Sequence, residues 1–377
     1  MKDFIPFSRP DLSPLEYELV TKALDLNHLQ GSGPFINQGE SKLKELHGQN
    51  SDALLTSSCS DALEMTCHLI DLKPGDEVIV PSYTFSSTAN AVIAGGGKIA
   101  FADISLKNFC MTATEAENVK SSRTRAIIAV NYAGCGEDLR DLREYSKRNN
   151  LVLIEDNAHG ISGTNKDGNL GTFGSMSTLS FHATKNITSG EGGALIINDD
   201  RFKDDAYILR DKGTNRKQFM SGQADKYTWH GFGSSYGMSD LSAALLVAQL
   251  ERLDEIQSSR SKVWLEYQSR LRDWAQINGF QIPKIEQQYT SHIFWMLAPN
   301  KLNRDGFLNH LRSHAVHGTF HYVPLHSSPM GKKIGSFECP NSEFLGETLV
   351  RLPLSSNLNS SEIDRVIEAV LAFQTFK

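Results

Sequence analysis

The chain is short of the features that would place it in an oxidising compartment or a membrane. Its five cysteines (Cys59, Cys67, Cys110, Cys135 and Cys339) are odd in number and form no CxxC pair. That argues against a disulfide framework and against a zinc site. No run of about 18 apolar residues occurs, so no membrane span is expected. The first residues, Met1 to Pro6, lack the apolar core of a secretory signal, and a cytoplasmic location is expected. An excess of either charge is also missing. With 38 Lys+Arg against 44 Asp+Glu, the formal net charge of −6 speaks against a general nucleic-acid or membrane-surface binder. A local basic pocket remains compatible with it. Internal repeats and low-complexity segments are absent. Gln30 to Gly33 holds only a loose glycine pair that follows no strand, so the dinucleotide-binding fingerprint fails. His182 has no second ligand at a suitable spacing, and no metal site is expected.

What the 377 residues do contain is alternation. From about residue 50 to 200, short apolar runs alternate with amphipathic segments. Strands are expected at 53–56, 77–80, 98–102, 125–130 and 151–154, with helices at 60–72, 84–95 and 138–149. This pattern predicts an α/β fold with parallel βαβ units and a sheet buried on both faces. Ligands of such sheets gather at the carboxyl ends of strands, where Ser57, Pro81, Asp156 and Ser180 fall. One long helical stretch is expected from about 238 to 277. It would lead from a large domain (1–250) into a smaller C-terminal α+β domain (251–377) with strands near 291–297 and 316–322 and a closing helix at 360–373.

Within this frame Lys185 stands out. It is a single cation between the apolar β-type runs 176–181 and 194–197, with hydroxyls and glycines around it. Desolvation lowers the pKa of such a lysine, and a neutral amine is what Schiff-base chemistry requires. A surface lysine on a turn is the ordinary alternative. Three upstream features bear on the choice. Ser60 and Asp61 lie where a strand becomes a helix, a place suited to a phosphate, or else to a plain N-cap. Asp156 ends an apolar strand and could keep a pyridine nitrogen protonated, or merely cap a turn. Phe85, just past a strand end, could cover an aromatic ring or pack in the core. Their order along the chain converges on pyridoxal 5'-phosphate held by Lys185.

That order and wording resemble the DegT/DnrJ/StrS-type family of sugar aminotransferases. The likeness is carried by the segments 58–62, 74–78, 81–85, 132–134, 154–159, 180–186 and 191–193. The resemblance implies the type I aminotransferase fold, with a mostly parallel central sheet in the large domain. It implies that Lys185 carries the cofactor, that Asp156 meets the ring nitrogen and that His159 lies near the ring. Ser180 joins the Ser60/Asp61 turn on the phosphate. It also implies a homodimer with shared active sites, in which a residue near Ser235 of the partner subunit reaches the phosphate. The family commonly has Asn there. Two further departures are Asn157, where a small residue is typical, and Asn131, where His often precedes Tyr132-Ala133-Gly134.

The segments 212–216, 225–229, 233–236 and 320–326 are similar to the branch that aminates dTDP-4-dehydro-6-deoxy-D-glucose. L-glutamate is the expected donor, and the 4-amino-4,6-dideoxy sugar serves surface polysaccharide such as enterobacterial common antigen. His321, Tyr322 and His326 are candidates for substrate contact, and Lys212, Arg216 or Lys226 for the diphosphate. A 3-keto or UDP-linked sugar, or a catalytically silent sugar-sensing regulator, are the competing expectations.

Overall fold

The computed structural model describes residues 4–48, 50–287 and 289–376. Seven strands form the central sheet: β1 (Asp52–Thr56), β2 (Glu77–Pro81), β3 (Lys98–Ala102), β4 (Thr124–Val130), β5 (Val152–Asp156), β8 (Met176–Ser180) and β9 (Gly193–Ile197). A small hairpin of β6 (Thr164–Asn165) and β7 (Gly168–Asn169) lies between β5 and β8 in sequence. The order across the sheet is β1-β9-β8-β5-β4-β2-β3. Strand β2 shows why the sheet is covered twice. Its residues are all buried, with Val78 and Val80 entering one apolar cluster and Ile79 the other. Such runs bury both faces and demand helices on each side.

The expectation of parallel units holds from β8 through β5, β4 and β2 to β3. It fails at β9, which runs antiparallel to both β1 and β8. The cause is the connection 181–192, which folds back instead of crossing over. Phe181 N–H donates to Gly192 O, and Ala183 N–H donates to Gly190 O. Lys185 sits in this reversal, beside the carboxyl ends of β5 and β8.

The C-terminal unit carries an antiparallel sheet, β10 (Phe294–Leu297), β11 (Thr319–Phe320) and β12 (Leu349–Leu352), in the order β10-β12-β11. It packs on helices Leu253–Ile277, Lys301–Ser313 and Ser360–Leu371 through Trp264, Tyr267, Phe294, Phe307 and Val366. The expected strand at 316–322 shrinks to Thr319–Phe320. Val316 instead bridges in parallel to Ile5, and His317 N–H donates to Ile5 O at 3.0 Å. The first described residues therefore pack with the C-terminal unit, and Arg9 pairs with Glu362 at 2.6 Å.

The single helix expected from 238 to 277 is two helices, Asp240–Glu251 and Leu253–Ile277. They break at Arg252 (φ −98°, ψ 9°), whose guanidinium is held by Asp11, Glu16 and Glu255. Among the described residues no helix is long and apolar enough to cross a membrane.

Candidate active site

A cavity of about 630 Å³ opens where the carboxyl ends of β5 and β8 face the C-terminal sheet. Lys185 lines it from the reversed connection. Burial lowers its ammonium pKa to about 8, which Asp156 opposes and the charge of Arg351 reinforces. Asp156, the last residue of β5, is buried beside it. Its Oδ2 accepts from Thr88 Oγ1 at 2.8 Å and its Oδ1 from Ala158 N–H at 3.3 Å. Burial pushes this carboxyl above its usual range, while Thr88 and Lys185 hold it down.

The wall opposite is the N-terminus of helix Cys59–Leu69, capped by Ser58, whose Oγ accepts from Asp61 N–H. Ser58, Ser60, Ser87 and Ser180 line the cavity, and the Ser60 and Ser87 hydroxyls lie 2.6 Å apart. Gly193 makes this close packing possible: a Cβ there would stand 2.4 Å from Cys59 N and 2.5 Å from the Ser58 carbonyl carbon. Asp61 binds Ser57 Oγ at the start of the helix and does not itself line the cavity. The dipole and free N–H groups of such a helix start fit a phosphate.

Phe85 lines the mouth and is 60% exposed, so it is not a core residue. His159 is buried on the inner wall. Ala133 N–H donates to its Nδ1 at 3.3 Å, so the neutral ring carries its proton on Nε2. Burial, with Lys185 and Arg351 nearby, keeps it neutral well below the usual histidine range. Its ring lies between His292 (centroids 4.3 Å apart) and His321 (5.8 Å, nearly parallel). His321 Nδ1 meets Tyr132 Oη at 3.1 Å, and both His321 and Tyr322 line the cavity.

The other sequence candidates lie elsewhere. His326 is outside the cavity, buried against Ser82 Oγ at 2.6 Å and Glu343 at 3.2 Å, where it braces the loop that carries Tyr322. Lys212, Arg216 and Ser235 line a separate small cavity of about 150 Å³ with Gly31, Ser32 and Arg210. Within one chain these three residues do not share a cavity with Lys185. Lys226 lines neither cavity, and its carbonyl accepts from Asn215 Nδ2. His182 lines the main cavity, bonding Thr184 Oγ1, and no cluster suited to a metal occurs among the described residues.

Asn131 and Asn157, two of the three departures noted with the resemblance, are partners. Asn131 Nδ2 donates to Asn157 Oδ1 at 2.8 Å and to the buried Glu155 at 3.1 Å. Glu155 also accepts from the N–H groups of Gly171, Phe173 and Gly174, fixing the turn that leads into β8.

Among the cavity residues that the sequence does not single out are Arg351, His292 and Phe7. His292 Nδ1 lies 2.6 Å from Asn186 Oδ1, and Asn186 Nδ2 already donates to Gln257 and Thr290. His292 is therefore the donor in that contact. No local signal marks these residues, because Arg351 and His292 sit in or beside apolar strands far along the chain.

The residues present fit pyridoxal phosphate: a buried amine with lowered pKa, a buried carboxylate, a hydroxyl-lined helix start and an aromatic at the mouth. Comparison with known proteins agrees. Residues 10–371 match the model of the DegT/DnrJ/EryC1/StrS aminotransferase family. The spore coat polysaccharide biosynthesis protein SpsC of Bacillus subtilis is 30% identical, over 97% of this chain and 96% of its own. Aminotransferase TlmJ of Streptoalloteichus hindustanus superposes with a TM-score of 0.89 at 26% identity, over 98% of both chains. The PLP form of the putative sugar aminotransferase Spr1654 of Streptococcus pneumoniae gives 0.86 at 25% identity, over 97% of both. With the lysine, the carboxylate and the helix start gathered in one cavity, the chain belongs to the DegT/DnrJ/EryC1/StrS family and is a pyridoxal-phosphate-dependent sugar aminotransferase.

Proposed function

We propose that the enzyme transfers the amino group of L-glutamate to carbon 4 of dTDP-4-dehydro-6-deoxy-D-glucose. The products are the dTDP-4-amino-4,6-dideoxyhexose and 2-oxoglutarate, with the amino sugar destined for surface polysaccharide. The observation that carries the transaminase reading is the cavity itself, where Lys185 with its lowered pKa stands beside buried Asp156. The choice of sugar rests on the likeness of segments 212–216, 225–229, 233–236 and 320–326 to the branch with that substrate.

Pyridoxal phosphate, when bound, supplies a carbonyl for the amino group and an electron-withdrawing ring. The chain's own residues do the rest. Lys185 Nζ would hold the cofactor and, as a neutral amine, would take a proton from the donor's α-carbon and pass it on. A positioned base of this kind contributes on the order of 10²- to 10⁴-fold. Asp156 keeps the ring nitrogen protonated, and Thr88 holds that carboxylate in place. His159 would offer its Nε2 proton to the cofactor. Ser60, Ser180 and the N–H groups near Asp61 would hold the phosphate, and Phe85 would pack against the ring.

A homodimer completes the reading. Lys212 to Ser235 form an irregular lobe held by bridges from Asp211 to Ser235 and from Thr214 to Trp229. Its Trp229 and Phe232 are 82% and 65% exposed, an arrangement that calls for a covering surface. In the dimer, Ser235 of the partner subunit would reach the phosphate, and the lobe's Lys212 and Arg216 would face the substrate diphosphate. We place the enzyme in the cytoplasm, in keeping with its free and mostly buried thiols.

The test is incubation with dTDP-4-dehydro-6-deoxy-D-glucose and L-glutamate, followed by NMR of the product. An amino group on carbon 4 and an equivalent of 2-oxoglutarate are expected. An unchanged 4-keto sugar, alongside amination of a 3-keto or UDP-linked sugar, would assign a different acceptor.

A further inference from the structure

His292 lies two residues before β10, lines the main cavity and is only 6% exposed. No step of the proposed reaction uses it. One face of its ring packs on His159, with centroids 4.3 Å apart. Its Nδ1 lies 2.6 Å from Oδ1 of Asn186, the residue that follows Lys185 in the chain. The Asn186 amide cannot be turned round, because its Nδ2 donates to Gln257 Oε1 at 2.7 Å and to the Thr290 carbonyl at 2.9 Å. Its Oδ1 therefore accepts, and His292 carries a proton on Nδ1. Burial keeps the ring neutral, and the charges of His159 and Lys185 push the same way. A neutral ring protonated on Nδ1 leaves a bare lone pair on Nε2. Among the described residues no group donates to that nitrogen. A buried acceptor without a donor is costly, so the arrangement calls for a donor that arrives with a ligand. The packed rings of His159 and His292 thus offer the cavity one N–H and one lone pair.

The chemistry of the ligands narrows the donor. The ring N–H of the cofactor would be taken by Asp156 and its oxygens accept, so it has nothing to give His292. Carboxylate and keto oxygens likewise only accept. The amino acid brings an ammonium, but an acceptor that holds an ammonium favours the charged form, which must lose a proton before it reacts. The sugar brings neutral hydroxyls. The one on carbon 3 adjoins the keto carbon, which must come close to Lys185. The charge of Lys185 is felt at His292, so the ring stands at that end of the cavity. We propose that His292 Nε2 accepts a hydrogen bond from the hydroxyl beside the keto carbon of the sugar acceptor. Asn186 is the positioning residue that fixes the tautomer for this contact. The inference rests on the nucleotide-sugar reading above and adds to it which hydroxyl is read.

The experiment titrates cofactor-loaded wild type and His292→Phe calorimetrically with dTDP-4-dehydro-6-deoxy-D-glucose and with its 3-deoxy analogue. Amino donor is left out, so binding is read without turnover. In wild type, loss of the hydroxyl should weaken binding on the order of 10-fold, since it strands a buried acceptor. In His292→Phe, which keeps an aromatic ring against His159, the two sugars should bind within about twofold of each other. Asn186→Ala should also shrink the difference between the sugars. A merely structural role would instead weaken both alike and would remove Asn186 from the proposal. A wild type that does not distinguish the sugars, or an equal ratio in His292→Phe, overturns it. Should the variants fail to fold, a crystal structure of wild type with the dTDP-4-amino-4,6-dideoxyhexose decides instead. The 3-hydroxyl is expected within hydrogen-bond distance of His292 Nε2, and Nε2 set against Lys185 or solvent overturns the proposal. A wild type that discriminates in binding yet aminates no sugar refutes the reading of function and upholds the role of His292.

Discussion

At the scale of single residues, the site works through the price of burial. Lys185 loses its proton near pH 8 in the cofactor-free protein because its ammonium is desolvated. Deprotonation produces the reactive amine, so uptake of pyridoxal phosphate should speed up as pH rises through about 8 and level off above. At pH 7 about a tenth of Lys185 is neutral, against well under a thousandth of an ordinary lysine. Stopped-flow absorbance from pH 6.5 to 9.5 checks this, and a rate still rising steeply at pH 9.5 would return Lys185 to the ordinary range. A second residue-scale expectation concerns the Asn131–Asn157 pair. Asn131→Ala leaves Asn157 and Glu155 short of a donor and should cost about 1–3 kcal/mol in urea unfolding. In the double-mutant cycle with Asn157→Ala the two losses should not add. Simple additivity would mean that the 2.8 Å contact carries no energy.

At the scale of elements, one reversal builds the site. Strand β9 runs back along β8, so its first residue, Gly193, lies against Ser58 and Cys59 at the start of helix Cys59–Leu69. Gly193→Ala places a methyl 2.4 Å from Cys59 N, against backbone that can yield only by moving that helix start. The expected result is a cofactor dissociation constant raised more than about tenfold with the far-UV spectrum retained. Unchanged affinity in fluorescence titration would detach the helix start from phosphate binding. Asp156 and Ser180 were legible in the sequence because each ends an apolar strand, where α/β sheets collect ligands. The reversal itself was not, since it depends on hydrogen bonds within 181–192 that no periodicity records. Arg351 stayed hidden for a related reason: inside Leu349-Val350-Arg351-Leu352 it reads as one polar position of a half-buried strand. Only the docking of the small sheet over the cavity turns it inward. The helix break at Arg252 was likewise masked, because its cause is a carboxylate pair from Asp11 and Glu16, more than 200 positions away.

At the scale of the whole molecule, the cavity is formed between the large sheet and the C-terminal unit, and the first described residues are strapped to the latter through Ile5 and Arg9. The lobe that carries Trp229 and Phe232 leaves both side chains largely exposed, although the Phe232 ring lies 4.7 Å from that of His68. If the proposed dimer forms through this lobe, replacing both residues with Glu should give a monomer in sedimentation velocity and cut transamination at least about 100-fold, because the proposed contact of Ser235 of the partner subunit with the phosphate would be lost. A fully active monomeric variant would show that one chain suffices.

The central claim is that Lys185 is the attachment point of the cofactor, and borohydride reduction of the loaded protein followed by peptide mapping tests it most directly. The account predicts a pyridoxyl label on Lys185 in wild type and its loss in Lys185→Ala. A label on another lysine, or none on a protein that still transaminates, would contradict it.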